Sequence, residues 1–469
     1  MNYLFYYQFL PLVVLFFVFI RLERLDFFQR FGVPILFVLG ILLQFSYWHY
    51  SHPNLENPDS MGYYRLGHGL ENDLRNILFR PKFYPIFLGL FTALKTATFF
   101  QCVLKVGIGF FMLRIAKILA WKRGTLFFSL TLFFVNSFWL QEPLKIMDTT
   151  LFTFCFTATT WLFIETSFQY SGLKFLGLCL FSGIATLTRQ VGDLSILMMG
   201  LMLIVFFVQK EKLKSIHFLT PFFFVSLLLG ALIGFSGLLW NGVHYGIYQR
   251  TIGVGNALYT HFSYYQLANG QNEEWKFVDQ YLPQERTAIP SWNTNYHSDI
   301  PWAVNALPHH LERAILQKES VSIVELDKIF SGRAIDWIQS NPKNYVASVG
   351  NEAMRLMWKC EEYYPESMLQ KLLKHFGGHA PLFMVRVERG IIHQSIGLMF
   401  IVSLFGLALE KKLRLQLLIP LMGIATYLIL IPAIQLGFTR YGFPVIPILL
   451  ILFGHACDQI RIKFARRSV

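Results

Sequence analysis

Apolar runs long enough to cross a bilayer recur from one end of the chain to the other, and no other feature constrains the fold as much. A hydrocarbon core about 30 Å thick takes about 20 residues of helix, and only helices or closed barrels satisfy every backbone polar group inside it. Such runs fall at residues 3–20, 31–47, 97–113, 124–139, 146–164, 173–187, 191–208, 217–239, 391–409, 415–431 and 440–457. They predict an all-α polytopic membrane protein, a helical bundle of about eleven transmembrane helices. Composition agrees: 54% of the 469 residues are hydrophobic and 15% are charged, against about a quarter charged in soluble chains. Residues 84–94 are apolar but too short to span, and read as a re-entrant or interfacial helix. The stretch 3–20 has no basic leader and no small-residue cleavage site, and reads as a retained first helix.

The formal net charge is +13, yet the basic residues cluster in short loops between apolar runs. Membrane orientation and anionic headgroups account for that pattern, so the sequence points to a lipid bilayer and not to nucleic acid as partner. One alternating set of short loops carries Arg21, Arg24 and Arg30, then Arg114, Lys117, Lys122 and Arg123, then no Lys or Arg in 165–172, then Lys210, Lys212 and Lys214, then Lys411, Lys412 and Arg414. The tail adds Arg461, Lys463, Arg466 and Arg467, whereas the opposite short loops hold only Lys145 and Arg189; the longer 48–96 loop stands apart from this comparison. The positive-inside bias then places the N-terminus outside and the C-terminus in the cytoplasm. The loop around Asp59, together with Glu142, Arg189, residues 241–390 and Arg440, falls on the external face. The absence of any N-x-[ST] acceptor favours a bacterial inner (plasma) membrane over the endoplasmic reticulum.

Three parts follow. Residues 1–240 form an N-terminal transmembrane module with an external loop at 48–83, residues 241–390 a soluble external (periplasmic) segment, and residues 391–469 the last transmembrane helices and a basic tail. The external segment reads as irregular chain, rich in Trp, Tyr and Pro, up to about residue 310. Helical spacing of apolar residues then predicts a helix over 321–340, stopped by Asn341-Pro342, and a second over 344–358 that could lie on the membrane surface. Trp275, Trp292, Trp302, Tyr264 and Tyr265 could stack on sugar rings or serve as interfacial or core residues.

The charged residues at the external mouths carry the candidate chemistry. Asp59 in PDSMGYYRLG reads as a helix cap or as a base. Arg80 and Lys82 in RPKFYP read as a snorkelling pair or as a recognition site for phosphate at headgroup depth. Glu142, Lys145 and Asp148 place three charges at three-residue spacing near the mouth of a span, where ionisable groups are functional candidates. Arg189, in TLTRQVG, is a basic residue in an external turn and runs against the positive-inside bias. Arg440-Tyr441 opens the last span as an interfacial anchor or a site pair. The five cysteines show no CxxC spacing, the His375/His379 and His309-His310 pairs lack further ligands, and there is no GxGxxG, P-loop or GxSxG. No metal, nucleotide or other cofactor is expected.

In order, PDS-x-x-YY, RPKFYPIFLGL, QEPLKIMDTTLF, TLTRQVG and TRYGFPVIPILLIL resemble the GT-C class of integral-membrane glycosyltransferases. Within that class the chain is most similar to the bacterial branch related to protein O-mannosyltransferases and aminoarabinose transferases. The resemblance covers most of residues 30–457. It implies a sugar donor carried on polyprenyl phosphate and transfer with inversion, outside the membrane, to an acceptor hydroxyl of a glycan, lipid or protein. By the same resemblance Asp59 matches the first-loop acid that serves as base. Arg80 matches a donor-phosphate contact, and Arg440 with Tyr441 an Arg-Tyr pair near the donor. Arg189 matches a basic residue at the corresponding turn, and Tyr63 and Tyr64 fall within the first-loop motif. Two departures stand out: Ser60 follows Asp59 where many members carry a second acid, and Gln190 follows Arg189 where proline is common. A glycan ligase or polymerase of the O-antigen type, and a lipid or solute transporter, are the alternative readings. The one-sided placement of the charges and the lack of an internal repeat speak against transport.

Overall fold

The computed structural model describes residues 25–53, 55, 58–134, 137–197, 200–201, 221–249, 251, 253–268, 272–282, 302–358, 395–410, 414–434 and 444–465, with residues 18 and 21. The described chain is all-helical, and five of its helices are long and apolar enough to cross a membrane. They are α1 (Asp26–Tyr50), α5 (Leu94–Ile118), α8 (Thr149–Phe168), α10 (Pro221–Tyr245) and α17 (Arg414–Ile434). Three shorter apolar helices join them: α6 (Arg123–Phe134), α9 (Gly172–Thr188) and α16 (Ser395–Leu409). A further helix, α18 (Ile446–Ala465), is buried along most of its first half. The expected span 3–20 lies outside the described residues except for residue 18, as does half of 191–208.

Within the run 124–139, residues 135–136 lie outside the described residues. The described parts are helical, α6 before them and α7 (Ser137–Gln141) after, and α7 leads into a 3-10 turn at Glu142–Leu144. Pro143 lacks an N–H and cannot extend the regular ladder. The turn leaves Glu142 and the chain after it at the mouth of α8.

Helices α9 and α10 pack backbone to backbone. A Cβ on Gly183 would lie 2.5 Å from Gly230 O, and one on Gly230 would lie 2.6 Å from Cys179 O. The inner face of α10 holds Ser226, Gly230, Gly234 and Gly237, while Phe224, Leu228, Leu232 and Phe235 are exposed outward. Small residues inside and large apolar ones outside invert the soluble pattern, because lipid offers bulky side chains as good a surroundings as the protein does. Gly230→Leu is expected to lower the melting midpoint and the monodisperse yield in detergent. Leu228→Ala on the outer face should change neither, and size-exclusion profiles with thermal scans check this. Between α1 and α5 runs a polar seam in which Lys105 Nζ donates to Gln44 Oε1 (2.7 Å) and Gln44 Nε2 donates to Leu140 O (3.3 Å).

Residues 254–340 have a core of their own. Helices α11 (Val254–Ala268), α12 (Asn272–Tyr281), α13 (Trp302–Lys318) and α14 (Ile323–Ser340) surround Tyr259, Phe262, Val278, Leu311, Ile315, Leu326 and Phe330. The expected irregular chain up to residue 310 is therefore corrected for its described part, which is helical. Its aromatic and aliphatic residues, among them Tyr259, Phe262, Val278, Leu311 and Ile315, pack into that shared core. Ser322 and Glu325 close a capping box at the start of α14. Helix α15 (Pro342–Trp358) packs on α17, with the Tyr345 hydroxyl donating to Ala433 O (2.7 Å), and its Leu356 enters the large core. Three short helices complete the chain between α1 and α5: α2 (Pro58–Gly67), α3 (Leu74–Phe79) and α4 (Phe83–Gly89). With seven residues, α4 rises only about 10 Å and is too short to span.

Candidate functional site

Helices α2 and α4 lie so close that a Cβ on Gly89 would stand 2.4 Å from Gly67 O. That contact fixes α2 against the re-entering chain and turns Asp59 and Tyr63, one helical turn apart, toward Arg80. Asp59 sits in the first turn of α2. Its carboxylate meets Arg80 Nη2 at 3.3 Å, with the aspartate side chain 38% exposed and the arginine 8%. Arg80 Nη1 donates to Asn76 Oδ1 (3.1 Å), and the guanidinium carbon lies 5.3 Å from the centre of the Tyr63 ring. Gly62 completes the cradle, since a Cβ there would fall 2.4 Å from that carbon. Arg80 Nε and Ser60 Oγ are buried with no hydrogen-bond partner among the described residues.

A second acid–arginine pair adjoins the first. Asp148 stands at the start of α8, but its side chain makes no capping bond. The carboxylate instead accepts from Arg189 Nε (3.2 Å) and from the Tyr63 hydroxyl (3.3 Å). Arg189 arrives at the end of α9 in extended conformation. Gly192 lets the following turn fold back on α9, because a Cβ there would lie 2.2 Å from Ala185 O. The arginine also stands 5.7 Å from the centre of the Phe152 ring. Tyr63 thus joins the pairs Asp59–Arg80 and Asp148–Arg189.

Burial raises the Asp148 carboxyl above its ordinary range; Arg189 offsets part of this and the negative charge of Asp59 adds to it. Burial, reinforced by Asp148 and Asp59, holds the Tyr63 hydroxyl well above the usual tyrosine value, so it is a hydrogen-bond donor throughout the physiological range.

The remaining expected residues divide. Lys82 is half-buried, its stem near Gly237 of α10, and its Nζ donates to Ile77 O. Burial lowers its ammonium from the usual 10.5 to about 8. Glu142 is buried and pairs with Lys145 at 2.9 Å. Its turn is tied to the site indirectly: the Tyr84 hydroxyl donates to Gln101 Oε1 (3.3 Å), Gln101 Nε2 donates to Lys145 O (3.1 Å), and the Tyr84 ring packs edge-on against Tyr63 at 4.9 Å. Tyr64 lies apart, with its ring 4.3 Å from that of His68. Arg440 and Tyr441 lie outside the described residues, as do Trp292 and the side chains of Tyr264, Tyr265, Trp275 and Trp302. Asp148 is the participant that the sequence undervalued. Its signal was an acid ahead of Thr149-Thr150 at a helix start, a pattern that looks like simple capping.

Among the described residues no group of three His, Cys, Asp or Glu side chains is placed to hold a metal ion. No protein-family profile, curated protein or solved structure matches the chain.

Proposed function

We propose that the protein is an inverting glycosyltransferase that moves a sugar from a polyprenyl-phosphate donor to an acceptor hydroxyl at the external face of a bacterial inner membrane. The observation that carries this reading is the linked pair of acid–arginine contacts, Asp59–Arg80 and Asp148–Arg189, at the mouths of apolar helices. A phosphate leaving group asks for fixed cations and an acceptor hydroxyl asks for a base, and the network holds both within one site. In the proposed step the acceptor oxygen attacks the anomeric carbon and its proton passes to Asp59. The bond from that carbon to the phosphate oxygen breaks, and polyprenyl phosphate leaves with the electron pair. Arg80, with Lys82 nearby, receives the growing charge, and the buried donors Arg80 Nε and Ser60 Oγ supply further hydrogen bonds to the phosphate oxygens.

Arg80 is already paired in the unliganded chain, which gives donor binding a second consequence. A phosphate that draws the guanidinium away from Asp59 leaves that carboxylate oxygen open to the acceptor hydroxyl. Asp148 and Tyr63 hold Arg189 beside this exchange as a second cation.

The reading is tested by incubating the reconstituted protein with polyprenyl-phosphate sugars and measuring binding and transfer. Arg80→Ala should weaken donor binding by about tenfold or more, the scale of one charge-assisted contact. Donor binding that is absent in wild type, or unaffected by Arg80→Ala, would overturn it. Lys82 adds a pH signature. The donor is a phosphodiester, fully ionised across neutral pH, so its attraction to Lys82 requires the ammonium form. Because burial sets that amine at about 8, affinity should hold below this value and fall as pH rises through it, by at most about tenfold per unit. Lys82→Arg should flatten the profile, which isothermal titration between pH 7 and pH 9 would follow.

A further inference from the structure

The chain that presents Arg80 is held from two sides. On one side Gly62, Tyr63 and Asp59 meet the guanidinium. On the other, the preceding residue Phe79 rests against Gly253, at the start of α11. Gly253 has φ +108°, a conformation open to glycine and strained for other residues. It also lacks room for a side chain, because a Cβ would fall 2.4 Å from Phe79 Cδ2 and Cε2. The Gly253 backbone is fixed in turn by α14, where Asp327 Oδ1 accepts from Gly253 N (3.1 Å) and Asn256 N (3.2 Å). Helices α11 and α14 touch at Gly255, whose Cβ would stand 2.0 Å from Asp327 O. One continuous line of contact therefore runs from Asp327 through Gly253 and Phe79 to Arg80.

We infer that Gly253 and Asp327 are positioning residues for Arg80, so that the unit formed by residues 254–340 sets the geometry of the cation that meets the donor phosphate. The inference rests on the proposed role of Arg80. Neither residue reaches the guanidinium; they act through the Phe79 ring. Asp327 works by accepting hydrogen bonds from backbone N–H groups at a helix start. The backbone of Asp59, by contrast, belongs to α2, which packs against α4.

The test uses the full chain in detergent or proteoliposomes, with Gly253→Ala, Asp327→Ala and Asp327→Asn. Hydrogen exchange of the amides at residues 76–82 should rise about tenfold in the two alanine variants, the result of losing roughly one capping interaction. Exchange in α5 and α8 should stay unchanged, and Asp327→Asn, which keeps an acceptor oxygen, should behave as wild type. With polyprenyl-phosphate sugar as substrate, the alanine variants should raise KM for the donor with little change in kcat. Unchanged exchange at 76–82, or an asparagine variant as damaged as the alanine one, overturns the inference. Should Gly253→Ala fail to fold, the Asp327 pair decides alone. If exchange responds as expected while wild type neither binds nor transfers any such sugar, the coupling stands and the glycosyltransferase reading falls.

Discussion

Asp59→Asn is expected to lower the turnover of sugar transfer by about 10²–10⁴-fold, the usual contribution of a positioned base. Donor binding should be nearly unchanged. The asparagine keeps the size of the side chain and an oxygen that can still accept from Arg80 Nη2, which lies 3.3 Å from the aspartate oxygen. What it removes is the site that takes the acceptor's proton. Single-turnover transfer in proteoliposomes separates the two effects: the bound donor accumulates and the product does not appear. Asp59→Ala should behave differently, because it also deletes the partner of Arg80 and lets the guanidinium move, so donor affinity changes as well. Wild-type turnover in Asp59→Asn would remove the base role. A loss of donor binding with turnover intact would mean that Asp59 serves only to orient Arg80.

The sequence made the individual charges visible but not their pairing. Asp59, Arg80 and Arg189 each stand out as charges beside apolar runs, although Asp59 also reads as a helix cap and Arg80 as an interfacial anchor. Their pairing depends on α2 closing on α4 and on the turn after α9 folding back, and both events rest on glycines, Gly67 with Gly89 and Gly192, that carry no periodic signal. Asp148 was legible as a charge near a helix mouth, yet only the structure places its carboxylate between Tyr63 and Arg189 instead of on its own helix end. Glu142 shares the neighbourhood but is neutralised by Lys145 three residues on, a local pairing that the same spacing argument already allowed. Hydropathy located the long helices well, since lipid leaves the backbone few alternatives. It did not reveal the helices described within 254–318, which are too short and too polar to register as spans and are held by a core of aromatic and aliphatic residues such as Tyr259, Phe262, Val278, Leu311 and Ile315.

The second large effect concerns stability and holds whatever the protein catalyses. Asp148 and Arg189 are both buried, at 4% and 9% exposure, and each is the other's ionic partner at 3.2 Å. Removing one member of such a pair leaves an uncompensated charge or an orphaned acceptor and costs about 3–5 kcal/mol, whereas replacing both by neutral groups of similar volume can be nearly free. Asp148→Asn and Arg189→Met should therefore each lower the melting midpoint by several degrees, and the double variant should lose less than the sum. Asp148 has a further partner in Tyr63, which asparagine can still satisfy, so Asp148→Asn should be milder than Asp148→Leu. The comparison also separates stability from function. Because the pair holds Arg189 in place beside Tyr63, a double variant that regains its melting midpoint should not regain donor affinity. Additive losses in the double variant would mean that the two side chains are not coupled, and that Tyr63 alone joins Asp148 to the rest of the site.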